Sequence, residues 1–179
     1  ALAGCRSALA AVREVTQSMD REASPLAEKA LLDARDALHA LLATEKNREL
    51  RAATGACVQL QAAIENALRI AEKASEHGYA LGTTSASAHE HLHAIADAAL
   101  GAIIESVSRG VAPSLEEAQA REIELNAVEN ETRRKLFEVA DPNPDELPAL
   151  LWSSELCAAY ELVGNQLYRV ASALGSSEL

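Results

Sequence analysis

Polar side chains at helical spacing near the C-terminal end are the residues of this sequence best suited to chemistry. Glu161, Asn165 and Arg169 follow one another at intervals of four, so they share one face of an α-helix. The polar spacing of 161–174 returns one hundred residues earlier, in 61–74. This repetition indicates a duplicated helical bundle that carries a polar site.

A second polar face precedes the first one. Glu122, Asn126 and Glu129 are spaced i, i+4, i+7 and also share a helix face. Two antiparallel helices could bring both faces together and gather oxygen ligands for a divalent metal ion. The alternative is a solvated face with an ordinary ion pair between Glu129 and Arg133. The candidate metal ligands are Glu122, Asn126, Glu129, Glu161 and Asn165.

Histidines provide a different metal hypothesis. Glu90 and His93 form a Glu-x-x-His pattern, and Asp36 and His39 form an Asp-x-x-His pattern. Together with Glu14 and Glu65, this order is similar to the ligand order of ferritin-like di-iron bundles. Glu90, however, also fits a capping box at a helix start, which we consider the better interpretation.

Other catalytic patterns are weak or missing. His89 and His93 could bind a metal as an i, i+4 pair, but we expect histidines near a helix start to be solvated. Ser153 and Ser154 lack a nucleophile elbow, and no glycine-rich phosphate loop is present. We therefore expect a non-enzymatic protein that needs no cofactor, with Trp152 as a core anchor.

Composition favours a helical domain and argues against several functions. The 179 residues include 49% hydrophobic but only 3% aromatic residues. Alanine, the best helix former, makes up about a fifth of the chain. A net charge of −11 argues against nucleic-acid binding, and no apolar run is long enough to span a membrane. Three cysteines without CxxC spacing are expected to be buried thiols.

Helix start and stop signals divide the chain into six predicted helices. Ser24 before Pro25 is typical of a helix start, and Gly78 of a helix end. Capping boxes at 87–90 and 114–117 begin two further helices. The predicted spans are 2–19, 24–44, 48–77, 87–109, 114–139 and 147–174.

The helices fall into two similar halves within a single domain, 1–179. A loop at 78–85 separates internal repeats at about 1–78 and 86–175, and a second turn lies at 141–145. We therefore predict an all-α fold of two pseudo-repeated antiparallel three-helix bundles. The predicted buried stripes are Leu2, Cys5, Leu9, Val12 and Val15 on the first helix, and Leu26, Ala30, Leu31, Leu38, Leu41 and Leu42 on the second.

Two helical segments of the sequence resemble a known family. Segment 157–174 is similar to the PhoU-like helix that carries a Glu-x-x-x-Asp motif, and segment 115–136 is similar to the other acidic helix of that family. The PhoU-like fold consists of two repeated three-helix bundles. In this chain Asn126 and Asn165 replace the aspartates, which removes charge and favours at most one weaker metal site.

The resemblance implies a cytoplasmic regulatory domain linked to phosphate transport. Because the first residue is not methionine, we expect a domain of a sodium/phosphate cotransporter-like protein, tethered to the inner face of the membrane through a longer chain. The expected partners are a membrane phosphate transporter, in the same chain or a separate one, and a sensor kinase, with a homodimer also compatible. The alternatives are a ferritin-like di-iron bundle and a generic helical protein-interaction domain.

Overall fold

The computed structural model describes residues 1–19, 22, 24–79, 83–138 and 145–176. These residues form six α-helices and no strand, which confirms the all-α prediction. The helices are α1 (Leu2–Ser18), α2 (Ser24–Thr44), α3 (Arg48–Glu76), α4 (Thr83–Ser108), α5 (Leu115–Phe137) and α6 (Leu147–Gly175).

Local capping interactions explain several helix ends. The side chain of Asn47 accepts hydrogen bonds from two backbone N–H groups at the start of α3. At the start of α5, Ser114 Oγ accepts from the backbone N–H of Glu117 at 3.2 Å, as the capping box predicts. Gly78 and Gly110 have φ values of 68° and 67°, the left-handed conformation that ends α3 and α4.

The start of α4 differs from the prediction. The helix begins at Thr83 rather than near Ser87. Glu90 therefore lies two turns inside α4, where no free backbone N–H needs a cap. Its carboxylate instead forms an ion pair with Arg13 of α1, at 2.6 Å. A Ser-x-x-Glu pattern can thus occur inside a helix when the glutamate has a tertiary partner.

Some predicted boundaries cannot be compared with the structure. Helix α5 ends at Phe137, with Glu138 as its C-cap. The predicted end of this helix at Val139 lies outside the described residues. The same holds for 80–82 in the predicted loop between the halves and for 141–144 in the predicted turn.

The six helices pack as two sets of three that share one interface. Helices α1, α2 and α3 all contact one another, and so do α4, α5 and α6. Among the described helices, contacts between the two sets run only from α1 to α4 and from α3 to α6. Helices α1, α3, α6 and α4 therefore form a central ring of four, with α2 and α5 packed on opposite sides of the ring.

The buried face of α1 agrees with the prediction, and that of α2 agrees with it in part. On α1, Cys5, Leu9, Val12 and Val15 are buried and Leu2 is partly buried. On α2, Leu26 is 76% exposed and Leu41 is also exposed, whereas Ala27, Leu31, Ala34 and Leu38 are buried. The small alanines allow α2 to approach its neighbours closely, so the buried face includes Ala27 and Ala34 beside Leu31 and Leu38.

Glycine permits two close helix approaches. A Cβ atom at Gly4 of α1 would lie 2.8 Å from the backbone carbonyl oxygen of Ala30 on α2. A Cβ atom at Gly164 of α6 would lie 3.1 Å from Leu125 Cδ1 on α5. Each outer helix thus packs against a ring helix at a position where a side chain would not fit without movement.

The structure agrees with the prediction for the three cysteines but not with the prediction for Trp152. Cys5, Cys57 and Cys157 are free and buried, as predicted. Burial raises the pKa of Cys5 and of Cys57 to about 11, so both thiols are protonated at neutral pH. Trp152 is only partly buried, and it stacks on Tyr79 with ring centroids 6.4 Å apart. The prediction of a core anchor was therefore wrong for Trp152, which covers the edge of the core.

Candidate functional site

The polar face of α5 is largely engaged in internal contacts. Asn126 Nδ2 donates a hydrogen bond to Glu122 Oε1 at 2.9 Å. Glu129 is only 2% exposed, and its carboxylate pairs with Arg133 at 3.0 Å. The Oδ1 atom of Asn126 is buried and has no hydrogen-bond partner among the described residues. This unpartnered oxygen is the group on α5 that a ligand could still use.

The two candidate ligands on α6 are as exposed as Glu122 and Asn126. Glu161 and Asn165 are partly buried, and their helix packs against α5. Within the described part of the chain, no three histidine, cysteine, aspartate or glutamate side chains form a group that could hold a metal ion. The structure thus places the five candidates on two adjacent helices but does not gather their carboxylates into a metal-binding cluster. A weak site with asparagine ligands stays a prediction.

The histidines of the di-iron hypothesis lie far apart in the fold. His39 and Asp36 are exposed on α2, whereas His93 is buried on α4. Within the described part of the chain, α2 contacts only the helices α1 and α3 and does not touch α4. The structure therefore does not bring together the ligands that a di-iron bundle requires.

His89 and His93 form a buried polar cluster that the sequence did not predict. His89 is 3% exposed and His93 is also buried, so the expectation of solvated histidines was wrong. His89 Nε2 lies 2.9 Å from Ser153 Oγ on α6, and His93 Nδ1 lies 3.4 Å from the Tyr160 hydroxyl. Because α4 begins one turn earlier than predicted, both histidines lie within the helix rather than at its start.

Burial decides the charge of this cluster. It lowers the pKa of His89 to about 4, because a charged imidazole would lose its hydration there. Burial also lowers the pKa of His93, against an opposing effect of Asp97. The pKa of the Tyr160 hydroxyl is raised, again mainly by burial. At neutral pH the cluster therefore consists of neutral hydrogen-bonding groups.

Charged residues at the edge of the cluster join the two sets of helices. Arg13 and Gln17 of α1 both bind the Glu90 carboxylate on α4. About two turns nearer the start of α1, Arg6 donates hydrogen bonds to both carboxylate oxygens of Asp97, at 2.7 and 2.8 Å. Pairing 13 with 90 and 6 with 97 places α1 and α4 antiparallel.

The geometry of the cluster does not support hydrolytic chemistry. Ser153 is 1% exposed, and the cavity lined by His89, His93 and Tyr160 has a volume of only about 10 Å³. That space is at the lower limit for one water molecule, so no substrate could enter. His89 Nδ1 has no partner among the described residues, whereas a catalytic base needs a group there that orients the ring. The cluster thus acts as a polar contact between α4 and α6.

The sequence contains a signal that could have identified this cluster. His89 and His93 continue the spacing of Leu92, Ala96 and Leu100, all of which are buried on α4. Histidines that lie on an apolar helix stripe are expected to face the core. Their partners on α6 follow more than sixty residues later, and the sequence spacing does not reveal them.

Two larger depressions lie outside these contacts. A groove of about 940 Å³ separates parts of α4 and α5 near the start of α6. A cleft of about 340 Å³ lies between α2 and α3, with glutamates along its edge. Both volumes fall within the range of small-molecule sites.

Comparison with known proteins gives no relative for this fold and these sites. No family model, curated protein or solved structure matches the chain. Among the described helices, none is both long and apolar enough to cross a membrane. Any functional assignment therefore depends on the residues and on their arrangement.

Proposed function

We propose that this chain is a non-enzymatic, PhoU-like regulatory domain linked to phosphate transport, as part of a sodium/phosphate cotransporter-like protein. The observation that carries the proposal is the division of the six helices into two sets of three that pack against each other. Among the described helices, contacts between the sets join the first helix of each set, α1 and α4, and the third helix of each set, α3 and α6. A duplicated three-helix unit would produce this pattern.

Matched burial on α3 and α6 supports the duplication. Both helices span 29 residues, and an offset of 100 aligns their cores. At eight aligned pairs both residues are buried, although most pairs differ in residue type. The pairs are Ala53 and Ser153, Thr54 and Ser154, Cys57 and Cys157, Leu60 and Tyr160, Ala63 and Val163, Ile64 and Gly164, Ala67 and Leu167, and Ala71 and Ala171.

Contacts between α1 and α4 give independent support. The first helices align at an offset of 91, which makes Asp97 the counterpart of Arg6. These two residues bind each other directly. In a duplicated fold, equivalent residues touch only where a twofold axis passes, so a contact between Arg6 and Asp97 is what a pseudo-twofold axis between the halves would produce.

Regulation through protein contacts fits the chemistry of the described residues better than catalysis does. The cavity beside the buried histidines is too small for a substrate, and on the acidic face of α5 Glu129 pairs with Arg133 while Glu122 accepts a hydrogen bond from Asn126. A domain of this kind would act by presenting helix faces to a transporter, and its net charge of −11 would oppose direct adhesion to anionic lipid. Asn126 Oδ1 would be available to a weakly bound divalent cation.

Phosphate uptake provides the test. Residues 1–179 would be deleted in the source cell, and the initial rate of labelled phosphate uptake compared with that of the intact cell. We expect the rate to change about fivefold or more, the lower range of typical coupling between sites. Re-expression of the chain should restore the original rate, and sulfate uptake should stay constant as a control. An unchanged rate of phosphate uptake, with the chain demonstrably expressed before deletion, would contradict the proposal.

A further inference from the structure

The outer face of α6 carries apolar side chains that the described part of the fold does not cover. Helix α6 lies in the central ring, so many of its residues are buried against α3, α4 and α5. Three of its leucines are nevertheless exposed, by 44%, 49% and 41%. The residues of α6 that are exposed before its last turn are Leu147, Leu151, Glu155, Leu162 and Arg169. Exposed apolar side chains that lie along one line of a helix are typical of an interface.

The exposed residues belong to a stripe with the spacing of a coiled coil. The stripe advances by alternating steps of four and three residues, which is the a and d pattern of a helix that pairs with another helix. Its members are Leu151, Glu155, Ala158, Leu162, Asn165 and Arg169. With Leu147 one turn before it, the stripe extends over about 33 Å of the helix axis. The outer face of α6 is therefore long enough to pair with a second helix.

The other half of the fold lacks these leucines at the aligned positions. An offset of 100 aligns α6 with α3, the helix that occupies the same place in the first set of three. The counterparts of the three leucines are Asn47, Arg51 and Ala62, which are all exposed. A helix in this place thus packs into the ring without leucine on its outer face. The leucines of α6 indicate a contact that α3 does not make.

Charge narrows the choice of partner. The chain has a net charge of −11, yet the stripe contains one carboxylate, Glu155, and one guanidinium, Arg169. The stripe is therefore neutral, so a second copy of this acidic chain can approach it without like charges at the contact. Among the described residues, neither Arg169 nor Glu146 at the N-cap of α6 has an ion-pair partner. These two opposite charges lie at opposite ends of the same helix.

We propose that α6 is the dimerisation helix of this protein and pairs antiparallel with α6 of a second copy. Leu151 packs against Leu162 of the second copy, and the twofold axis repeats this contact on its other side. Glu155 then faces Ala158 of the second copy, whose small methyl group leaves the carboxylate in contact with water. One stripe is complementary to itself, as a twofold dimer requires. This dimer would stand without the proposed role in phosphate transport.

The charged ends of α6 set the direction of the pair. In the antiparallel arrangement, Arg169 reaches the start of the opposite helix and pairs with Glu146 of the second copy. The twofold axis produces this ion pair twice, once at each end of the contact. A parallel arrangement would keep the two residues about 33 Å apart.

Sedimentation equilibrium of the full chain over a range of concentrations measures the dimer. We expect a reversible equilibrium between monomer and dimer without larger species, because a twofold contact closes on itself. Leu151→Glu and Leu162→Glu should each weaken dimerisation by about tenfold or more, since each substitution changes both symmetry-related contacts. A single monomeric species at every concentration up to roughly 1 mM would overturn the proposal and would assign the stripe to a different partner.

Leu41→Glu is the matched control. Leu41 is 45% exposed, close to the 41% of Leu162, and it lies on α2, which does not contact α6 among the described helices. The same change there should leave the dissociation constant within about twofold. Equal weakening in Leu41→Glu and in the α6 variants would show that added negative charge opposes association in general. If circular dichroism shows that Leu162→Glu loses helix, Leu151→Glu, at the more exposed position, decides the outcome.

Exchange of the end charges tests the antiparallel direction. Arg169→Glu and Glu146→Arg should each weaken dimerisation about threefold, the range of an exposed ion pair that occurs twice. The double variant places opposite charges in the same pair again and should recover most of the lost affinity. A double variant that dimerises more weakly than either single variant would contradict the antiparallel pair.

Discussion

Single side chains in this protein are governed more by burial than by their spacing in the sequence. His89 and His93 resemble a metal-binding pair by spacing, yet both are buried against α6 and uncharged at neutral pH. Glu129 belongs to a polar stripe by spacing, yet it is almost completely buried beside Arg133. Spacing identified which residues share a helix face, and the neighbouring helix decided what each of them does.

His89 should make the stability of the fold depend on pH. Its pKa is about 4 in the folded protein and about 6.5 in an unfolded chain. As pH falls below 6.5, the unfolded chain binds a proton first, so the folded state loses relative stability until about pH 4. Between pH 7.5 and pH 5 this one residue should lower the free energy of unfolding by about 2 kcal/mol. Urea denaturation at the two pH values measures the difference.

Substitution isolates this effect from other titrating groups. His89→Gln should reduce the difference in unfolding free energy between the two pH values by about 2 kcal/mol. His39→Gln, at an exposed position on α2, is the control and should leave the difference unchanged. Identical pH dependence in the natural protein and in His89→Gln would show that burial does not perturb this imidazole.

Helices were predictable as elements because their end signals are local. Gly78 and Ser114 each act through backbone groups within a few residues, and the structure confirms these two positions. The start of α4 was wrong because Glu90 has a partner on α1, and that contact is not visible in the neighbouring sequence. Helix ends that are set by residues within one turn could therefore be predicted from the sequence. Helix ends that depend on a contact with a second helix could not.

The buried face of α2 shows the same limit in another form. Leucines predicted this face, and Leu31 and Leu38 are buried as predicted, but α2 also buries Ala27 and Ala34 and leaves Leu26 exposed. In an alanine-rich chain several helix faces are apolar enough to be buried. The face that becomes buried is the one whose small side chains allow the closest packing. Which face this is depends on the shapes of α1 and α3.

Two glycine substitutions should have opposite effects on stability. Gly4→Ala places a methyl group 2.8 Å from the backbone carbonyl oxygen of Ala30, so α1 and α2 must move apart. We expect a loss of about 1–3 kcal/mol in the free energy of unfolding. Gly55→Ala, inside α3 with no atom within 4 Å of the new methyl group, should instead gain about 0.5–1 kcal/mol.

Thermal unfolding followed by circular dichroism measures both changes. Gly55→Ala serves as the control for the effect of alanine on helix formation itself, since the chemical change is the same. A gain in stability for both variants would show that α1 and α2 are not closely packed at this position.

At the scale of the whole molecule, the ring of α1, α3, α6 and α4 makes the two halves interdependent. The α1–α4 side of the ring is joined at its surface by the pairs Arg6–Asp97 and Arg13–Glu90. On the α3–α6 side the two helices pack through buried side chains. The sequence predicted two halves, but the way in which they share a core depends on residues about one hundred positions apart.

A double-mutant cycle on Arg6→Gln and Asp97→Asn should measure the surface contribution to this interface. Hydrogen bonding to Arg6 lowers the pKa of Asp97, so the pair stabilises the fold at neutral pH and loses this effect as pH falls through the lowered pKa. We expect a coupling free energy of about 0.5–1 kcal/mol at neutral pH, because both side chains are partly exposed.

Chemical denaturation of the four proteins at neutral and at acidic pH provides the measurement. The coupling should decrease with added salt and disappear once Asp97 is protonated. Coupling that is equally strong at both pH values would show that the carboxylate charge does not hold α1 against α4.

The ring also has a consequence for synthesis on the ribosome. Helix α3 is complete at Glu76, but the α6 helix that covers its apolar face is finished only at Gly175. At typical translation rates of roughly 5–20 residues per second, the apolar face of α3 stays uncovered for on the order of 5–20 seconds until α6 has been synthesised. During this interval a chaperone, or the corresponding face of another nascent chain, competes for the surface that α6 will cover. Slow or paused translation of the second half would therefore increase aggregation without altering the stability of the finished protein.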